Sequence, residues 1–171
     1  MKKLYVVILL LLTFFLAACS FEPRSAAYFP KELHHVYLSS EKPYSPLTTN
    51  FNALLRSMHA NVVKKISQAP YSVIISNDIF SYSRPVTVDS SLPSTLNFSQ
   101  TATLTIRDNS NNRDVLSKVF STAKSLTLNA NQIYTANANT LMQQTLNREM
   151  ISLIYYWLIS SQTKDKLQHA N

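Results

Sequence analysis

The amino-acid sequence predicts an α+β domain, a two-layer sandwich with two helices packed on one face of a mixed four-stranded sheet. Three observations lead to this class. Apolar and polar residues alternate along 95–107, and in two other segments apolar residues recur at intervals of three and four. The elements follow in the order strand, helix, strand, strand, strand, helix. No internal repeat interrupts them, so we expect a single domain at residues 32–160.

The first two elements are a strand and a helix. A short strand is predicted across Leu33–Leu38. Ser45 then suits the N-cap of a helix, and Pro46 suits its first position. An apolar face of helical period follows, and it predicts one amphipathic helix that ends near Lys65. The residues on that face are Leu47, Phe51, Leu54, Leu55, Met58 and Val62.

Three longer strands are predicted in the middle of the chain. The first is 71–84, and residues 84–94 follow as a proline- and serine-containing loop or irregular edge. The clearest strand is 95–107, because it alternates an apolar and a hydroxyl-rich face, as a half-buried antiparallel strand does. Residues 108–112 form a hairpin loop, and 113–128 return as a long strand of mixed polarity. The apolar face of the clearest strand consists of Leu96, Phe98, Ala102, Leu104 and Ile106.

After Asn131 the spacing becomes that of a helix. Near its end, the stretch 151–159 is apolar on every side, so we expect it to be buried on more than one side or to dock on another surface. Residues 161–171 are polar and are predicted to form a frayed tail. The residues that define the helix are Met142, Leu146, Met150, Leu153 and Trp157.

The N-terminal segment has the order of a secretory signal. The basic pair Lys2–Lys3 precedes an apolar run at 4–16, which would extend about 20 Å as a helix and is short for a ~30 Å hydrocarbon core. Small residues then lead to a cysteine in Leu16–Cys19, a pattern that resembles the bacterial lipobox. We therefore predict a lipoprotein signal peptide at 1–18 and a lipid-anchored tether at 19–31.

Cys19 is the only cysteine of the chain, so it has no disulfide partner. The resemblance to a lipobox implies cleavage before Cys19, a thioether-linked diacylglycerol on its sulfur and a further acyl chain on its new amine, with no other cofactor. The alternative is a thiol within an ordinary membrane-anchoring helix. Ser20 stands where an aspartate tends to retain lipoproteins in the inner membrane, which indicates the outer membrane by resemblance to that rule.

Composition restricts the function. The formal net charge of +7 favours anionic partners. Export argues against nucleic acid and leaves anionic lipid, lipopolysaccharide phosphate and acidic protein surfaces; solubility alone is the other explanation.

The absence of glycine excludes the P-loop, the dinucleotide-binding fingerprint and the nucleophile elbow. His34 and His35 would point to opposite faces of a strand, and no paired carboxylates stand out, so we expect neither a metal site nor an enzyme.

The basic residues of the predicted sheet offer the best candidates for a binding site. Lys118 and Lys124 share one face of the strand 113–128, with Phe120 between them. This spacing suits phosphate groups along an anionic glycolipid, and Phe120 would meet its acyl chain or sugar. Arg84 is a further candidate cation for lipopolysaccharide. The alternative is a charged, solvated face with an apolar neighbour.

Taken together, these segments resemble the lipopolysaccharide-assembly lipoproteins of the LptE family, formerly called rare lipoprotein B. Cys19, Phe21 and Arg24 match the family's start, although Ser20 and Pro23 replace its glycine and leucine. Three further stretches resemble the family's first strand and helix, its fourth strand with a Lys-Val-Phe step, and its closing helix: 36–56, 115–138 and 147–160.

The resemblance implies a non-enzymatic role on the periplasmic side of the outer membrane. The domain would fill the lumen of the partner β-barrel LptD in a 1:1 complex, help that barrel to fold and assist lipopolysaccharide passage to the cell surface. Two alternatives stay open: an auxiliary lipid-binding lipoprotein of another envelope transport complex, and a lipid-anchored hydrolase.

Overall fold

The computed structural model describes residues 28–83, 94–128 and 136–169. In these ranges the chain forms one five-stranded mixed sheet and three α-helices. The strands are β1 (His35–Ser40), β2 (Asn61–Val63), β3 (Tyr71–Ser83), β4 (Ser94–Asp108) and β5 (Arg113–Leu128). The helices are α1 (Pro46–Ser57), α2 (Ala136–Leu158) and α3 (Ser161–Gln168).

The sheet has the strand order β2-β1-β3-β4-β5. β1 runs parallel to both of its neighbours, and β3, β4 and β5 are antiparallel, which confirms the α+β class and the mixed sheet. In the register of the long strands, Ile75 lies opposite Leu104 and Leu104 lies opposite Lys118. The expected counts of four strands and two helices were too low, because β2 and α3 were not foreseen.

The start of α1 was predicted correctly and its end was not. The Ser45 side chain accepts a hydrogen bond from the Thr48 N–H at 3.2 Å, as an N-cap does. The helix ends at Ser57 rather than near Lys65, since His59 has a φ of 62° and the Ala60 N–H donates to the Leu55 carbonyl at 3.0 Å. This is a Schellman ending with histidine in the position that glycine usually takes.

The predicted polar tail is wrong for residues 161–168, which form α3. The Ser160 side chain caps the helix by accepting from the Thr163 N–H at 3.3 Å, and Leu167 is fully buried. The fold also begins inside the predicted tether, because Phe29 is buried and its ring lies 6.1 Å from that of His34. The domain therefore extends further in both directions than the sequence indicated.

The core lies between the sheet and the helices. The apolar face of β4 that alternation predicted is buried. Its half from Ala102 to Ile106 shares one cluster with the end of α2, and its other half forms a smaller cluster with Leu146. Leu153 and Tyr156 on the same helix remain 45% and 62% exposed. The predicted burial of that stretch is therefore confirmed for most of its surface, and one narrow stripe stays open.

No α-helix in the described ranges combines the length and the apolar character that crossing a membrane requires.

Candidate functional site

β5 places the three described candidate residues on the side of the sheet that α2 covers. Lys118, Phe120 and Lys124 alternate with the exposed residues Val119 and Ala123, as the period of a strand requires. The prediction that they share one face is confirmed. Arg84 and Cys19 lie outside the described residues, so their predicted roles stay predictions.

Phe120 is part of the core and not of a binding surface. Its side chain is 4% exposed, and its ring meets Trp157 of α2 edge-on, with 5.6 Å between the ring centroids and 74° between the planes. Aromatic pairs in this arrangement stabilise a core beyond the area that they bury. The prediction that Phe120 contacts an acyl chain or sugar is therefore wrong, because the helix already occupies that side of the ring.

The two lysines have different surroundings. The Lys118 ammonium lies 5.3 Å from the centroid of the Phe120 ring, and its side chain is exposed. The Lys124 Nζ pairs with Glu149 Oε1 of α2 at 2.6 Å, with both side chains about two-fifths exposed. Glu149 thus neutralises one of the two candidate cations. The lysines are six positions apart, about 20 Å along a strand, so they would contact separate groups of a ligand.

The opposite, outer face of the sheet carries rows of hydroxyl and amide side chains. Pairs of these side chains face one another across β3, β4 and β5 and hydrogen-bond at 2.7–3.3 Å. We call this surface the hydroxyl face. The pairs are Ser81 with Ser99, Thr105 with Ser117, Asn97 with Ser125 and Thr95 with Thr127.

The hydroxyl face is almost uncharged. Within the described strands β3, β4 and β5, its charged side chains are Arg107 and Asp114, which pair at 2.6 Å at one end. The hydrogen bond to Asp114, reinforced by its charge, raises the pKa of the Arg107 guanidinium above its ordinary value. Two apolar side chains, Ile79 and Val119, stand on the face and are more than half exposed. The sequence predicted the β4 part of this face; the contribution of β3 and β5 follows from their register.

A buried polar cluster joins the inner side of the sheet to α2. The Gln100 Nε2 donates to Asp78 Oδ1 and to Asn147 Oδ1, each at 3.0 Å, and these three residues are at least nine-tenths buried. Among the described residues, Gln100 Oε1, Asn147 Nδ2 and Thr122 Oγ1 have no hydrogen-bond partner. Beside the cluster, between α1 and α2, lies a cavity of about 380 Å³ lined by Pro46, Asn50, Gln144, Asn147 and Arg148. Sequence reasoning missed the cluster, because Gln100 lies in an apolar alternation.

A second cavity, of about 690 Å³, lies between the β4–β5 hairpin and α3. The Asp108 carboxylate at this site accepts from the N–H and the hydroxyl of Ser110, both at 2.8 Å, and these hydrogen bonds lower its pKa. In the part of the chain that the structure describes, no group of three or more His, Cys, Asp or Glu side chains is placed to hold a metal. The ionisable residues that line the cavity are Asp108, Arg113, Asp114, Asp165, Lys166 and His169.

These features define a class of protein: a small α+β domain whose sheet is covered by helices on one face and carries the hydroxyl face, which no described helix covers, on the other. Within that class, the chain has the fold of rare lipoprotein B. The structure of rare lipoprotein B from Shewanella oneidensis is similar with a TM-score of 0.52 and 14% identity over 80% of this chain and 99% of that one.

Two other solved structures share the fold. The uncharacterized lipoprotein B from Nitrosomonas europaea has a TM-score of 0.52 and 15% identity, and the match covers 82% of this chain and 88% of that one. A putative neuraminyllactose-binding hemagglutinin homolog from Helicobacter pylori has a TM-score of 0.59 and 11% identity, and the match covers 84% of this chain and 95% of that one. No protein-family model matches the chain, and no curated protein matches its sequence. The resemblance to rare lipoprotein B that the sequence indicated is thus confirmed in the fold.

Proposed function

We propose that the chain is an outer-membrane lipoprotein of the LptE type, which fills the lumen of the LptD β-barrel, helps it to assemble and assists the delivery of lipopolysaccharide to the cell surface. The observation that carries the proposal is the hydroxyl face. It spans three long strands, no described helix covers it, and its two charges neutralise each other.

Such a face suits the inside of a large barrel. The lumen of an outer-membrane barrel is polar, with side chains and water that donate and accept hydrogen bonds. Hydroxyl groups can do both and can exchange their present partners for barrel groups at little cost. A charged face would need complementary charges in the barrel, and a broadly apolar face would aggregate before assembly. Ile79 and Val119, which lie opposite Thr101 and Thr103 of β4, supply apolar contacts.

The anchor would hold the domain close to the membrane. Lipidation of Cys19 supplies two or three chains, which is enough for stable attachment. The fold begins by Phe29, so the connecting segment of about ten residues can reach at most about 35 Å. A domain on that tether stays within reach of a barrel in the same membrane.

Lipopolysaccharide binding is the finer part of the proposal. Lys118 is the first candidate, because its ammonium is exposed and pairs with no carboxylate of the described residues. Lys124 would bind a phosphate only by releasing Glu149. Arg84 remains a candidate from the sequence. Phe120 is excluded from the set by its burial under Trp157.

The test is gentle detergent extraction of outer membranes from cells that carry a tag after Asn171, followed by identification of the co-purifying proteins. We expect one large, heat-modifiable β-barrel in about equal amount. Recovery of the chain alone would overturn the proposal. Recovery with an inner-membrane ATPase would favour the auxiliary lipid-transport lipoprotein instead.

A Cys19→Ala variant is the matched control, since it removes the acylation site and leaves the described domain unchanged. We expect this variant to leave the membrane fraction and to recover less barrel. If it stayed in the membrane fraction as the parent chain does, the assignment of Cys19 as the anchor would be wrong.

A further inference from the structure

The two edges of the sheet differ greatly in length. The β2 edge consists of three residues, whereas β5 is an edge strand of sixteen residues. Within the described residues β5 pairs with β4 alone, and from Leu116 to Leu128 that pairing continues without a bulge. Alternate residues of an edge strand direct their N–H and C=O groups away from the sheet, so this stretch offers a regular row of free hydrogen-bonding groups.

α2 forms a wall along this edge. Glu149 reaches Lys124 at 2.6 Å, and Trp157 packs on Phe120 with 5.6 Å between ring centroids, so the helix follows the strand over this distance. Leu153 lies one turn from each of these two helix residues and is 45% exposed. An edge strand next to a helix with an open apolar side chain is the kind of groove in which extended peptides add to a sheet.

The charge along the edge is positive and unbalanced. Two carboxylates beside it are already neutralised, Asp114 by Arg107 and Glu149 by Lys124. Lys118 is exposed, and among the described residues no carboxylate lies within ion-pair distance of it. A carboxylate on an added strand would therefore complete the charge balance here, whereas a lysine would meet a like charge.

We propose that the β5 edge between Leu116 and Leu128 is a docking site for an extended acidic segment of a partner protein. The segment adds a further strand beside β5, places a carboxylate near Lys118 and sets an apolar side chain against Leu153. This site is separate from the hydroxyl face and does not depend on the barrel assignment. A second copy of the chain fits less well, since antiparallel self-pairing centred on Ser121 places Lys118 opposite Lys124.

The test uses the full chain in mild detergent and a short capped synthetic peptide in which threonine alternates with valine and glutamate. Amide hydrogen exchange of residues 113–128 is measured with increasing peptide. We expect slower exchange along β5 and unchanged exchange along β2. A peptide N-methylated at every residue should give no protection, because it has no backbone N–H on either edge with which to form the ladder.

Charge reversal tests the proposed occupant. Replacing glutamate by lysine in the peptide should weaken binding about 2- to 5-fold, the range of an exposed ion pair. Lys118→Glu should reverse this preference, so that the lysine peptide binds more tightly than the glutamate peptide. Lys118→Gln should abolish the preference. Lys64→Glu, an equal charge change at an exposed lysine just after β2, should leave it unchanged.

Three results would overturn the proposal. They are no protection of β5, equal protection by the N-methylated peptide, or a peptide preference that Lys118→Glu does not alter. Protection of β5 that rises with protein concentration without peptide, together with a dimer in light scattering, would assign the edge to a second copy.

Discussion

The two faces of the long strands are built from neighbouring residues and have different tasks. On the inner face of β4, Phe98, Leu104 and Ile106 are at most 1% exposed. On the outer face the neighbouring residues carry hydroxyl and amide groups that pair across strands. Burial of one large apolar side chain contributes about 1.5–3 kcal/mol, and one exposed cross-strand pair contributes about 0.2–1 kcal/mol. The inner face therefore determines stability, and the outer face is free to serve a partner.

The largest effect is expected at Phe98. Its ring is fully buried and lies 6.3 Å from that of Phe80 and 5.9 Å from that of Tyr82. Phe98→Ala should lower the free energy of unfolding by about 3–5 kcal/mol, measured by urea denaturation of the full chain in mild detergent. Ser99→Ala on the adjacent outward position is the control and should cost no more than about 1 kcal/mol, because it removes one exposed cross-strand pair with Ser81. Similar losses from both variants would contradict the division of tasks between the faces.

The polar cluster at Gln100 is the exception on the inner face, and it yields the next effect. Gln100→Leu should destabilise by about 1–3 kcal/mol, because the buried Asp78 carboxylate loses a hydrogen-bond donor. Asn147→Leu should cost less, because the Gln100 Nε2 then still donates to the Asp78 carboxylate. A double-mutant cycle with urea denaturation should give a coupling of about 0.5–3 kcal/mol. Strictly additive losses would show that the two amides do not act together.

Elements with a local pattern could be predicted from the sequence, and elements that depend on long-range contacts could not. The periodicity of apolar residues predicts the strands β3, β4 and β5. A local side-chain hydrogen bond marks the start of α1. β2 has three residues, and its pairing with β1 spans a separation in sequence of 26 positions, as between His35 and Asn61. α3 is polar in sequence and depends on the burial of Leu167 in the core. Local patterns do not contain either of these long-range contacts.

The sequence likewise predicts only part of the candidate site. Alternation correctly places Lys118, Phe120 and Lys124 on one face of β5, but β5 has mixed polarity on that face, so the sequence does not say that α2 covers it. Phe120 pairs with Trp157, and Lys124 pairs with Glu149, across the two layers. Those contacts depend on how the helix is placed over the sheet, which no motif within β5 determines.

The smallest effect on stability, and the sharpest test of the comparison, is expected at Thr101. This residue lies on the hydroxyl face between Ile79 of β3 and Ser121 of β5. Thr101→Val preserves shape and strand preference and should change the free energy of unfolding by less than about 0.5 kcal/mol. It should nevertheless lower the amount of barrel that co-purifies with a tagged chain, because valine cannot hydrogen-bond to a polar lumen.

Thr49→Val on the exposed side of α1 is the matched control and should leave the yield of barrel unchanged. If Thr101→Val and Thr49→Val recover equal amounts of barrel, the hydroxyl face does not bind it, and the partner must be sought at the helical layer or the β5 edge.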